Sequence, residues 1–167
     1  MNETVDVLFD YAIELENAAE SLYENMAALF SHEPNVKQFW LQYAKEERGH
    51  ASYLERVRKA MSAEDLAQPA EESILQQAHR SLQDAANLDL GRIRNLEDAY
   101  QLATNVENSE TNAIFDFMMT NFSTEELAKS YKFLKVQLSS HIKKLEREFP
   151  EPYQSRDRRR ALMVRKK

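Results

Sequence analysis

Glu47 and His50 carry the most distinctive chemistry of this chain, because both interrupt the apolar positions of a helical pattern. The apolar positions around them recur at steps of three and four residues: Val36, Trp40, Tyr43, Leu54 and Val57. This spacing turns Glu47 and His50 toward the interior together. A buried carboxylate is costly unless it is paired, protonated or bound to a metal ion. The Glu-x-x-His pair therefore predicts a candidate metal site.

Three further segments show the same interruption of an apolar stripe. The stripe that begins at Phe9 turns Glu16 inward, and the stripe that begins at Leu96 turns both Glu107 and Glu110 inward. A last stripe, from Leu127 to Leu145, turns His141 inward. We therefore expect most of these carboxylates and imidazoles to converge on one polar site between the helices.

Composition favours a single all-helical domain. The chain has 167 residues, with 43% hydrophobic and 30% charged residues, but only two glycines and four prolines. A β-sandwich would need more turn residues. The chain has no cysteine, which excludes disulfides, thiolate-bound metals and a catalytic thiol. The sequence shows no apolar run long enough to span a membrane and no signal peptide, so we expect a cytoplasmic protein.

Turn residues divide the chain into helical segments. The pattern predicts helices over about 3–30, 35–61, 96–121 and 123–149. The second helix is followed by a break at 62–72, and then by a shorter helical segment that ends near Ala86. Short turns make neighbouring helices antiparallel, so the first two helices should form a hairpin.

An internal repeat relates the two halves of the chain. A shift of 91 residues places Glu16 on Glu107 and His50 on His141, whereas Glu47 falls on Leu138. Two helical hairpins of one pattern predict an antiparallel four-helix bundle, with a long crossover that contains the short extra helix. A central site would take ligands from both halves.

The distribution of charged residues divides the chain into an acidic body and a basic C-terminal tail. Residues 151–167 carry seven basic and two acidic side chains, so the net charge of −6 divides into +5 there and −11 elsewhere. We therefore expect a bundle domain over 1–149 and a basic tail over 150–167. An acidic body attracts cations and repels nucleic acid. The tail could bind nucleic acid or a protein partner, but such tails are more often simply solvated.

Three sequence motifs resemble the ferritin-like di-iron carboxylate superfamily, and more narrowly its rubrerythrin-type branch. Residues 12–23 read AIELENAAESLY, residues 45–50 read KEERGH and residues 107–110 read ENSE. The resemblance covers about 5–149 and implies a ferritin-like four-helix bundle that binds iron, two ions per chain with manganese as the alternative. It implies these metal ligands: Glu16, Glu47, His50, Glu107, Glu110 and His141.

The chain departs from the family pattern in two respects. Rubrerythrins proper carry a cysteine-ligated rubredoxin domain, and this chain has no cysteine, so an electron donor would be external. Leu138 stands where the fourth helix would carry the glutamate of a second Glu-x-x-His. Either Glu110 supplies the missing carboxylate or the site is degraded. An alternative register, which pairs Glu16 with Glu110, also leaves the second motif incomplete and brings Lys144 opposite His50.

The resemblance implies an oxidoreductase of the peroxidase or ferroxidase type that uses O₂ or peroxide. The alternative is a bundle with a degraded metal site that acts as a binding or assembly module, its inward charges satisfied by a Glu–His network. A mononuclear site held by Glu16, Glu47 and His50 is a third reading. Tyr23 is either a hydrogen-bond donor near the ligands or a core residue. A homodimer is expected, and the apolar run at residues 115–119 is either core or a candidate dimer contact.

Overall fold

The computed structural model describes residues 3–107, 110–122, 124 and 147, without the side chains of 110–112. These residues confirm the all-α fold and contain no β-strand, only an isolated bridge between Thr4 and Pro69. The helices are α1 Val5–Leu29, α2 Pro34–Ala60, α3 Ala63–Leu66, α4 Glu72–Ala86, α5 Leu96–Glu107 and α6 Glu110–Phe122. A 3₁₀ turn at Leu90–Arg92 lies between α4 and α5.

Local sequence explains where the first two helices begin. The hydroxyl of Thr4 caps α1 by accepting a hydrogen bond from the Val7 backbone N–H at 3.4 Å. Pro34 occupies the first turn of α2, where its missing N–H leaves no helical hydrogen bond unmade. Only residues 30–33 separate the two helices, so α2 folds back against α1.

Two arginines of α2 fix the antiparallel register of this hairpin. Arg58 donates from Nε to Asp6 and from Nη1 to Asp10, both at 2.7 Å. Nearer the start of α2, Arg48 donates from Nε to Glu20 at 2.6 Å and from Nη2 to Glu24 at 2.9 Å. Higher residue numbers in α1 therefore meet lower numbers in α2. Each arginine bridges two carboxylates that lie one turn apart on α1.

The buried hydrophobic residues of the described part of the chain form two clusters. Core A is built around Phe9, Leu54, Leu75, Phe115 and Met118. Core B is built around Tyr23, Met26, Trp40, Tyr43 and Tyr100.

The polar positions lie between core A and core B. In α1, core A takes residues 5–15 and core B takes residues 19–30, which leaves Glu16 between them. In α2, core B takes residues 36–44 and core A takes residues 53–57, which leaves Glu47 and His50 between them. We call these buried residues, together with Glu107 at the end of α5, the polar layer.

The crossover covers the hairpin on one side. Helix α4 packs on α1 and α6 and adds Leu75 and Ala78 to core A. The sequence predicted an unstructured break at 62–72, which is wrong for Ala63–Leu66. Helix α3 forms there because the Ser62 hydroxyl accepts a hydrogen bond from the Asp65 backbone N–H at 3.0 Å.

The predicted third helix corresponds to α5 and α6, and residues 108 and 109 between them are outside the described set. The predicted fourth helix over 123–149 and the basic tail over 150–167 also lie outside it, apart from residues 124 and 147. Across the described helices, none combines the length and the hydropathy needed to cross a bilayer.

Candidate metal centre

Glu16, Glu47 and His50 meet within the polar layer. Each offers one ligand atom, and these three atoms lie within 4.8 Å of one another. The Nδ1 atom of His50 lies 2.9 Å from Glu47 Oε2 and 3.3 Å from Glu16 Oε2. All three side chains are buried, with at most 5% of any of them exposed. The structure therefore brings these three side chains of α1 and α2 together.

Burial and mutual contact change how these groups hold protons. Burial raises the pKa of Glu16 to about 8, against the lowering effect of its hydrogen bond to His50. Burial by itself lowers the pKa of His50, but hydrogen bonds to Glu16 and Glu47 outweigh it and raise that pKa to about 10. Both shifts favour the protonated forms of Glu16 and His50. A divalent cation would compete with these protons for the same oxygen and nitrogen atoms.

Helix α6 closes the layer on the side of His50. The ring of Phe115, which is fully buried, lies 5.1 Å from the imidazole ring between centroids. Phe115 belongs to core A, so the imidazole is held between its two carboxylate partners and an apolar surface. Such packing limits rotation of the His50 ring and keeps bulk water away from it.

Glu107 joins the polar layer through Tyr23. The Tyr23 hydroxyl donates a hydrogen bond to Glu107 Oε1 at 2.5 Å, across 84 residues of sequence. Burial, followed by the charge of Glu107, raises the pKa of Tyr23 well above its ordinary value, so Tyr23 remains a donor. Its ring stacks on Trp40 at 5.8 Å between centroids and meets Tyr43 edge-on at 5.3 Å. Core B thus fixes the phenol that holds Glu107.

Of the other three predicted ligands, the structure describes the side chain of Glu107 but not those of Glu110 and His141. Glu107 is buried but lies outside the three-residue cluster. Glu110 is the first residue of α6, and its side chain is outside the described set. His141 and Leu138 also lie outside that set. The sequence suggested Tyr23 as a donor but gave no partner for it, because no local spacing relates Tyr23 to Glu107.

The donor types of the cluster suit a divalent transition metal. Carboxylate oxygens are hard ligands, and an imidazole nitrogen extends the preference from manganese to iron and zinc. No thiolate competes, since the chain lacks cysteine. The Nδ1 atom of His50 faces both carboxylates, so loss of its proton would direct a nitrogen lone pair into the same space as the two oxygens. The residues present therefore fit an ion such as Fe²⁺ or Mn²⁺.

Comparison with known proteins places this arrangement in a family. Residues 8–127 match the rubrerythrin family, a region that includes Glu16, Glu47, His50 and Glu107. No curated protein and no solved structure matches the chain significantly. The family match covers most of the chain and all of the buried cluster. The chain therefore belongs to the rubrerythrin family, within the ferritin-like di-iron carboxylate superfamily.

Proposed function

We propose that this protein binds non-haem iron in the polar layer and acts as an oxidoreductase of the peroxidase or ferroxidase type. The observation that carries the proposal is the buried cluster of Glu16, Glu47 and His50, with three ligand atoms within 4.8 Å, in a chain of the rubrerythrin family. Three ionisable groups are rarely buried together without a partner charge. A bound metal ion would offset the cost of burying these three groups.

The full ligand set belongs to the proposal. Glu16, Glu47 and His50 would hold one ion, and a second ion would require Glu107, Glu110 and His141. Leu138 supplies no carboxylate, so Glu110 would take that place. Bound iron supplies one-electron redox chemistry with O₂ or peroxide.

The chain's own residues would prepare the site for that chemistry. The proton on His50 Nδ1 must leave before the imidazole can bind a cation, and Glu16 must lose its proton as well. Tyr23 would orient Glu107 by donating a hydrogen bond to its Oε1 atom. Core A and core B exclude bulk water on both sides of the layer.

Metal content per chain tests the proposal most directly. The protein is loaded anaerobically with Fe(II), desalted and analysed for iron, and an optical spectrum is recorded when air is admitted. We expect about two irons per chain and a ferric absorption for an intact di-iron site. Glu47→Gln should lose most of this iron because it removes a charged ligand. Glu55→Gln is the matched control, since Glu55 is an exposed glutamate of the same helix.

One result would reject the assignment of the site. If Glu47→Gln and Glu55→Gln both retain the wild-type iron content, the iron is not bound at the buried cluster. About one iron per chain, lost on substitution of Glu47, would instead indicate a mononuclear site at Glu16, Glu47 and His50.

A second candidate function is a metal-free binding or assembly module. The favouring observation is that His50 already bonds Glu47 and Glu16, so the cluster is satisfied as a hydrogen-bonded network. The substitution of a ligand position by Leu138 points the same way. A well-folded protein that holds no iron after loading would support this function and reject the first.

Partners and location also remain proposals. An external electron donor is required if the site turns over, because the chain carries no rubredoxin-type cysteines. We further propose a cytoplasmic homodimer. Of the two readings of residues 115–119, the structure supports core, since Phe115, Met118 and Met119 are buried in core A. Light scattering of the purified protein measures the mass directly.

A further inference from the structure

Three glutamates of α1 form a row from the polar layer to the protein surface. The exposed fraction of the side chain rises from 2% at Glu16 to 16% at Glu20 and 50% at Glu24. Each step of four residues turns a helical position by about 40° in the same sense. The row therefore leaves the core gradually and reaches the surface along the contact between α1 and α2.

Neighbouring glutamates of the row lie one helical turn apart on the same side of α1. Residues four apart on a helix are separated by roughly 5–6 Å at Cβ. Long helical side chains lean toward the helix N-terminus, so Glu24 leans toward Glu20 and Glu20 toward Glu16. The inner end of the row is the buried Glu16–Glu47–His50 cluster, whose donor set itself indicates a cation.

Arg48 lies across the outer part of this row. Its guanidinium bonds both Glu20 and Glu24, with Nε donating to Glu20 Oε1 at 2.6 Å and Nη2 to Glu24 Oε1 at 2.9 Å. Arg48 directly follows Glu47 in α2, but its side chain is 60% exposed. A bound arginine neutralises two carboxylates that a divalent cation would otherwise meet first. Surface ion pairs of this kind are weak, so the contact can open.

We propose that Glu24 and Glu20 form the access route by which a divalent cation reaches the buried cluster, and that Arg48 is the gate of this route. Release of Arg48 frees the two carboxylates from their ion pairs, and the cation passes inward to Glu16. This inference rests on the proposed metal-binding function and adds to it the path and the residue that controls the rate. Arg48 is a positioning residue here and does not bind the metal.

The second arginine bridge provides a matched control. Arg58 bonds Asp6 and Asp10 in the same manner on the same two helices, but it lies beside core A, away from the buried cluster. Arg58→Gln removes a similar bridge and the same charge without touching the proposed route. Because the Arg58 side chain is 28% exposed and the Arg48 side chain 60%, the free energy of unfolding is measured for both variants.

The test measures the rate of Co²⁺ binding by stopped flow. Trp40 is the single tryptophan of the chain and belongs to core B beside the polar layer, so quenching of its fluorescence reports arrival of the ion. Equilibrium titration gives the Kd separately. We expect Arg48→Gln to raise the association and dissociation rates together, on the order of tenfold, with little change in Kd. Arg58→Gln should bind at the wild-type rate.

Two further variants separate a gate from a simple effect of charge. Arg48→Lys retains the charge but loses the fork geometry that bridges two carboxylates, so it should also accelerate binding. In the Arg48→Gln background, Glu20→Gln should slow binding again because it removes one step of the route.

The possible failures can be told apart. Wild-type rates in both Arg48 variants would overturn the gate while leaving the metal site intact. A lower Kd in Arg48→Gln with normal rates in Arg48→Lys would also overturn it, in favour of a purely electrostatic effect. Absence of quenching in every protein, including the wild type, together with no bound cobalt after desalting, would reject the proposed function and the gate together.

Discussion

At the scale of single residues, the central feature is one histidine, His50, that two glutamates approach together. Glu16 and Glu47 both approach Nδ1 of His50, at 3.3 Å and 2.9 Å. An N–H on the imidazole can donate to both carboxyl groups. A bound cation would replace that proton between the same three side chains, so cation binding should depend on pH.

Metal-free protein should become less stable as pH rises from 7 to 9. The folded state raises the pKa of His50 from 6.5 to about 10, so its stabilising contribution is complete below pH 6.5 and is lost as pH rises through about 10. Loss of the Glu16 proton also lowers the stability of the fold as pH rises, since folding raises the pKa of this carboxyl from 4.5 to about 8. We expect a lower Tm at pH 9 than at pH 7, measured by circular dichroism.

Two controls sharpen this pH prediction. Glu16→Gln should show a smaller fall in Tm, because glutamine keeps the hydrogen-bonding shape but does not titrate. Protein loaded with metal should also show a smaller fall, because the ion replaces the protons. An equal Tm at both pH values in the metal-free wild type would contradict the assigned protonation of the cluster.

At the scale of secondary structure elements, α2 carries most of the site and contains one of the chain's two glycines within it. Gly49 lies between Arg48 and His50, where a Cβ atom would meet no atom of the described residues within 4 Å. No positive φ requires glycine there. Packing against the described residues therefore does not explain the glycine, and its backbone freedom weakens α2 beside the buried cluster.

Gly49→Ala should stabilise the protein by about 0.5–1 kcal/mol, because alanine loses less backbone entropy in a helix. The free energy of unfolding from a urea titration measures this change. Gly91→Ala is the control: its Cβ would lie 3.0 Å from Asp89 Oδ1, so no gain is expected. Destabilisation by Gly49→Ala would show that α2 must deform at this position in the native protein.

The sequence predicted elements better than it predicted contacts between them. The apolar stripes of α1 and α2 placed Glu16, Glu47 and His50 inward, and the structure confirms that burial. The bond from Tyr23 to Glu107 could not be predicted, because helix periodicity gives the face of a residue but not its height against another helix.

The bridges of Arg48 and Arg58 were unforeseen for a related reason. Each joins residues 24 to 52 positions apart, and only the folded hairpin sets which turns of α1 and α2 lie side by side. Helix α3 was missed although Ser62 and Asp65 have the spacing of a cap, because a four-residue helix leaves no periodic signal.

At the scale of the whole molecule, the charge pattern leads to a prediction about the basic tail. A chain that ends at Phe149 loses the +5 of the last residues and changes the net charge from −6 to −11. We expect the shortened protein to keep its helical content, Tm and iron content, since the predicted fourth helix ends at 149 and two prolines, Pro150 and Pro152, follow it. Circular dichroism and elemental analysis measure these quantities, and a lost cooperative transition would place the tail within the folded unit.

The division of the interior into core A and core B has a further consequence for thermodynamic additivity. Substitutions at sites that share no contacts usually change the free energy of unfolding independently. A cavity made at Leu54 in core A and another made at Met26 in core B should therefore add. Any deviation from additivity measures how strongly the intervening carboxylates and imidazole link the two halves. The polar layer would then be the element that couples the stability of core A to that of core B.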